Sequence, residues 1–249
     1  MFSYIFYLLL RRPLIPPTGV SSSASELYKR QALLYRHSRG VTLTPAGESL
    51  LHHARTVLFG LERMQGELSE YAEGVRGHVR MHANISAIVQ FLPEDLGAFA
   101  RAHSQVKIDL QEHLSSDVLH AVQEGAADLG ICNTGGPGAA DLQSRPYRTD
   151  HLVLVVPAAH ALSAQAAINF EEVLDWDIVG LHANSSISLA MRAAAAAAGR
   201  PLRQRIQVTG LDAMCRMIDN GLGVGLLPDR AFALMHGVGR LQATPLTDP

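Results

Sequence analysis

Cysteine is scarce. The 249 residues hold two, Cys132 and Cys215, far apart and without metal-ligand spacing. That excludes a disulfide framework and reads as buried thiols in a reducing compartment. An excess of one charge is lacking too: 21 Lys and Arg against 23 Asp and Glu leave a net charge of −2. Taken whole, the chain gives no sign of a polyanion partner. The apolar stretch at residues 2–10 is too short to span a bilayer. Its positive charges, Arg11 and Arg12, follow the apolar run instead of preceding it, which is the reverse of a secretory signal. Export and membrane insertion are therefore not expected, and a cytoplasmic protein is. There is no Gly-x-Ser-x-Gly elbow and no paired-carboxylate arrangement. His52 and His53 are adjacent, so they cannot pair at helical spacing, and no acidic partner is placed for zinc. No catalytic residue, metal or cofactor is expected, and the chain is read as not an enzyme.

What is present is unevenly distributed. Residues 1–56 hold seven cations (Arg11, Arg12, Lys29, Arg30, Arg36, Arg39, Arg55) against two acids, Glu26 and Glu48. The remainder holds 21 − 7 = 14 cations against 23 − 2 = 21 acids. A basic front on an acidic body suggests a polyanion-binding part joined to a part that is not. A solvated charged face is the plainer alternative.

Residues 44–75 organise the rest. Thr44 is a cap and Pro45 suits the first helical position. Apolar side chains then recur at Ala54, Val57, Leu61, Met64, Leu68, Tyr71 and Val75, in steps of three and four. That is a heptad seam on an otherwise charged helix. Such a helix requires a partner, either a globular core or a second copy. Ahead of it, Arg36 and Arg39 flank the tip of a hairpin centred on Gly40, where they can reach phosphates.

After residue 77 strand and helix alternate: strands at 78–83, 106–113, 128–132, 152–157, 178–181, 206–209 and 223–228, with helices between them. The pattern is α/β with a parallel sheet covered on both faces. Asn84-Ile85-Ser86-Ala87 follows the first of these strands and opens a helix. Asn184-Ser185-Ser186 does the same in the second half. Strand C-termini and helix N-termini define ligand crevices in such folds, and free amides beside hydroxyls suit an anion. Asn84, Ser86, Ala87, Asn184 and Ser185 are therefore candidate ligand contacts, with Thr149 near the first crossover a further one. Simple helix caps are the bland alternative. Gly-Leu-Gly-Val-Gly at 221–225 lies between a helix and a strand, the reverse of a dinucleotide loop. It reads as a helix stop with close packing.

Leu34-Tyr35-Arg36-His37-Ser38-Arg39-Gly40-Val41-Thr42-Leu43-Thr44-Pro45-Ala46-Gly47-Glu48 resembles the wing and linker-helix start of LysR-type transcriptional regulators. The likeness continues to about Leu246. It implies a winged helix-turn-helix, a dimerising linker helix, and a two-lobed effector domain similar to periplasmic binding proteins. On that resemblance, residues 26–44 are a remnant of the winged head (wing 35–44) and residues 45–75 are the linker helix. Residues 77–149 and 229–249 form lobe I and residues 150–228 form lobe II, while residues 1–25 stay unassigned, disordered or foreign. Fewer residues precede the seam than the family's head needs, and no recognition helix is legible in 1–33. The head is expected to be truncated or replaced. The function implied is DNA-binding transcriptional regulation under a small, anionic effector. Arg36 and Arg39 would touch promoter DNA, and Ala54, Val57, Leu61, Met64 and Leu68 would pair a homodimer or tetramer. The alternative is a ligand-binding and dimerising module without operator recognition, acting through full-length partners.

Overall fold

The computed structural model describes residues 3–10, 32–38, 40–73, 77–133, 142–235 and 239–247. Arg39, residues 11–31 and residue 75 lie outside the described residues.

Strands β2 (Leu34–His37) and β3 (Gly40–Leu43) form the expected hairpin, pairing Leu34 with Leu43 and His37 with Gly40. Thr44 then starts helix α1 (Pro45–Glu73): its hydroxyl accepts from Gly47 N–H at 3.0 Å and donates to the Ala32 carbonyl at 2.7 Å. The helix is 29 residues long, about 44 Å at 1.5 Å per residue. Its seam faces solvent in the single chain: Val57 is 62%, Leu61 49%, Met64 51% and Leu68 65% exposed.

The first α/β unit contains β4 (Gly77–Ala83), α2 (Ile85–Gln90), α3 (Leu92–Ala102), β5 (Val106–Glu112), α4 (Ser115–Glu124) and β6 (Leu129–Asn133). β4 lies between β5 and β6 and is parallel to both. Strand β7 (Gln143–Pro157) is 15 residues long and continues from this unit into the second. That unit holds α5 (Phe170–Val173), β8 (Ile178–Leu181), α6 (Ser186–Ala197), β9 (Gln204–Val208), α7 (Leu211–Asp219), β10 (Gly225–Pro228) and α8 (Asp229–Leu234). β8 and β9 are parallel, and β10 runs antiparallel to the second half of β7.

Two placements differ from the sequence expectation. The unassigned front end contributes strand β1 (Ser3–Leu10), which lies antiparallel between β6 and β7 in the middle of the sheet. The segment 229–249, expected wholly in lobe I, divides. Arg230 of α8 reaches lobe I, donating to the Gln90 carbonyl at 2.7 Å and pairing with Glu94 at 3.1 Å. The last strand, β11 (Leu241–Pro245), instead pairs with Val153–Pro157 of β7, and Leu246 bridges Ile168, both on the lobe II side. An antiparallel partner was available there because the second half of β7 is buried and apolar (Leu152, Val153, Leu154, Val155, Val156). Backbone groups in so apolar a setting must find strand partners.

The core runs through both units without a break, from Met81, Ala83 and Phe91 across Leu154 and Val155 to Met214 and Ile218. A second cluster, Val118, Leu119, Val122, Ala127, Cys132 and Leu142, lies under α4.

Candidate ligand-binding site

A cavity of about 300 Å³ opens between the two units. From the first it is lined by Asn84, Ile85, Ser86, Glu112, His113, Leu114, Ser115 and Asp117. From the second come Leu181, His182, Ser185, Ser186, Ile187 and Thr209. Each group follows from strand polarity. Asn84 comes directly after β4, His113 after β5, His182 after β8 and Thr209 after β9. Parallel strands put their carboxyl ends, and the amino ends of the helices that follow, at one edge. Helices α2, α4 and α6 all start at this cavity, and the amides of their first turns have no acceptor within the helix.

Asn84 caps α2, its Oδ1 accepting from Ala87 N–H at 3.0 Å, while its Nδ2 donates to the Ser115 hydroxyl at 3.4 Å. Ser185 caps α6, accepting from Ser188 N–H at 3.2 Å. Both are therefore caps and wall residues at once. Ser86 is 3% exposed and lines the cavity, and among the described residues no protein group bonds its hydroxyl. Ala87 is fully buried beneath the wall and contributes its amide to the cap. Asn184 is exposed, its N–H donating to His182 Nδ1 at 3.2 Å. Thr149 lies in β7 opposite Ile5 of β1 and is not among the lining residues.

Sequence reasoning passed over Glu112, His113, Asp117, His182 and Thr209. The signal was available: the rule applied after β4 and β8 applies equally after β5 and β9. His182 Nδ1 accepts a backbone proton, so its neutral ring carries the hydrogen on Nε2, a donor. His113 stacks on His82, ring centroids 4.4 Å apart. Burial, and after it His113 itself, holds His82 below the ordinary imidazole range. His113 and His82 also border a second hollow, beneath α1, where Arg55 pairs with Glu124 at 2.8 Å.

At the joint between the units, Asp150 is 5% exposed and accepts from Gln90 Nε2 at 2.8 Å and His151 N–H at 2.9 Å. Burial raises its carboxyl above the usual range despite both bonds. Cys132 and Cys215 are buried, and burial pushes their thiols up to about 12 and about 11. No described helix is long and apolar enough to cross a membrane, and no described cluster of His, Cys, Asp and Glu fits a metal ion.

The family model for the LysR substrate binding domain matches residues 72–249. The transcriptional dual regulator GltC of Bacillus subtilis is 25% identical over 204 residues, covering 81% of this chain and 67% of GltC. Among solved structures, a full-length variant of OxyR from Pseudomonas aeruginosa superposes with a TM-score of 0.65 at 21% identity, covering 92% of this chain and 74% of that one. The CcmR regulatory domain of Synechocystis PCC6803, in complex with 2-PG, gives 0.62 at 20% identity, covering 69% and 82%.

Proposed function

This chain belongs to the LysR substrate binding domain family, and from that premise we propose that it is a transcriptional regulator's sensor for a small, carboxylate-bearing effector. The relatives are transcriptional regulators and not enzymes. The observation that carries the reading is the cavity built from the ends of four parallel strands, two from each unit. On the wall from the second unit amides and hydroxyls converge without an acid, which suits an anionic group held by hydrogen bonds. Asn84, Ser86, Ala87, Asn184 and Ser185 are its proposed contact region; Thr149, in β7 and outside the lining residues, is not part of it. A structural neighbour with a bound small molecule supports the assignment.

In this reading α1 is the linker helix, and its exposed seam from Ala54 to Leu68 pairs with a second copy in the cytoplasm. Arg36, and Arg39 three residues further on, contact promoter phosphates, a sequence-blind and salt-dependent role. A ligand that favours one arrangement of the lobes shifts the dimer toward it. The test is a thermal-shift screen of carboxylic acids on the full chain. Hits that raise the melting temperature of the wild type and not of Ser86→Ala support the sensor. A screen in which every hit acts equally on both proteins refutes it.

A second reading is favoured by one observation. Ahead of α1, strand β1 is built into the sheet of the matched domain, paired with β6 and β7. That arrangement suits a ligand-binding, dimerising module that acts through full-length partners. Fluorescence anisotropy with promoter DNA separates the two: salt-sensitive binding lost in Arg36→Ala favours the first, and no binding at low salt the second.

A further inference from the structure

The two walls of the cavity are electrically unlike. Glu112 and Asp117 both belong to the lobe I wall, and the lobe II wall carries no acid. Neither carboxylate has a cationic partner among the described residues; Asp117 receives the hydroxyl of neighbouring Ser116 at 3.3 Å. Opposite them the second wall is a set of donors: His182 Nε2–H, the Ser186 hydroxyl and the free first-turn amides of α6, a helix of 12 residues. Ser86, nearly buried with its hydroxyl unpartnered, marks the floor as polar and accessible to a ligand.

A simple dicarboxylate fits this poorly. One end would meet donors, and the other would meet two carboxylates at close range, an unfavourable arrangement in a partly desolvated cleft. A ligand with one carboxylate and one cationic amine satisfies both walls, and Ile85, Leu114, Leu181 and Ile187 cover an apolar spacer between them. We propose that the effector is a small amino acid whose carboxylate lies at the start of α6 and whose ammonium lies between Glu112 and Asp117. This rests on the cleft being the effector site and narrows the ligand's class.

The experiment is calorimetry on the full chain. The probes are the straight-chain ω-amino acids from 3-aminopropanoate to 6-aminohexanoate, each beside the dicarboxylate and the monocarboxylate of equal carbon count. The expected result is that at one length the amino acid binds about tenfold tighter than either companion, the size of one charge-assisted hydrogen bond. Asp117→Asn or Glu112→Gln then removes that advantage and leaves the monocarboxylate unchanged. Both side chains are exposed, so both variants keep the wild-type melting temperature. A dicarboxylate that binds tightest and is weakened by Ser86→Ala overturns the amino-acid assignment while the cleft stays the effector site. Absence of binding by every probe, or binding indifferent to Ser86→Ala, overturns both.

Discussion

Asp150 carries a carboxyl group in a buried setting. Its folded pKa is raised by burial. The contribution of its protonated form is therefore complete below the ordinary carboxylate range and is lost as pH rises through the raised value. Asp150→Asn removes that dependence. Melting curves between pH 4 and pH 7 are expected to be flatter for the variant than for the wild type; an unchanged slope would show that Asp150 is not the titrating group. The cysteines make a second case at this scale. A thiol held near 11 or 12 and out of solvent has almost no thiolate at neutral pH. Ellman's reagent is expected to label neither Cys132 nor Cys215 in the folded chain and both after unfolding, whereas fast labelling of the native chain would reopen a redox role.

Among the elements, α7 ends as its glycines foretold. Gly221 has φ +73, its N–H donates to the Ile218 carbonyl, and Leu222 N–H donates to the Met217 carbonyl. This is the paired closure that left-handed glycine permits. Two residues on, Gly223 has φ +152, and a Cβ there would come within 2.3 Å of the Asp177 carbonyl oxygen. Gly223→Ala combines backbone strain with a clash against main chain. It should cost about 2 kcal/mol or more, measured as a lower urea midpoint, and an unshifted midpoint would mean that the β8–β10 junction yields freely. On α1, Leu61→Asp places a charge in the middle of the seam. If the seam pairs two copies as proposed, sedimentation is expected to report a dimer for the wild type and a monomer for the variant. If the variant sediments as the wild type does, the seam is not the interface.

For the whole molecule, continuity across the hinge matters most. β7 belongs to both units, and β1 is the strand that joins β6 to β7. Without β1 those two strands would face each other as unpaired edges inside the sheet. Deleting residues 1–12 is therefore expected to raise amide exchange in β6 and the first half of β7, and to spare β8 and β9. Uniform protection in the truncated chain would show that β1 is dispensable. Arg230 works at the same scale. It ties α8 to the Gln90 carbonyl and the Glu94 carboxylate across the joint.

The sequence by itself determined the local elements and much of the cavity. Thr44-Pro45 starts a helix, the three-four spacing makes one apolar stripe, and Asn84 and Ser185 stand where a strand gives way to a helix. These are decided by neighbours within one or two turns, which is where pattern has force. Only the tertiary structure decided what a strand pairs with. Residues 3–10 read as an apolar stretch without a place, and residues 241–245 as a return to lobe I, because hydrogen-bonding partners far along the chain leave no trace in local periodicity. The opposition of Glu112 and Asp117 to His182 and Ser186 is of the same kind. Charge along a chain is legible, but which charge faces which across a cleft depends on how two units that share one core and one long strand are set against each other.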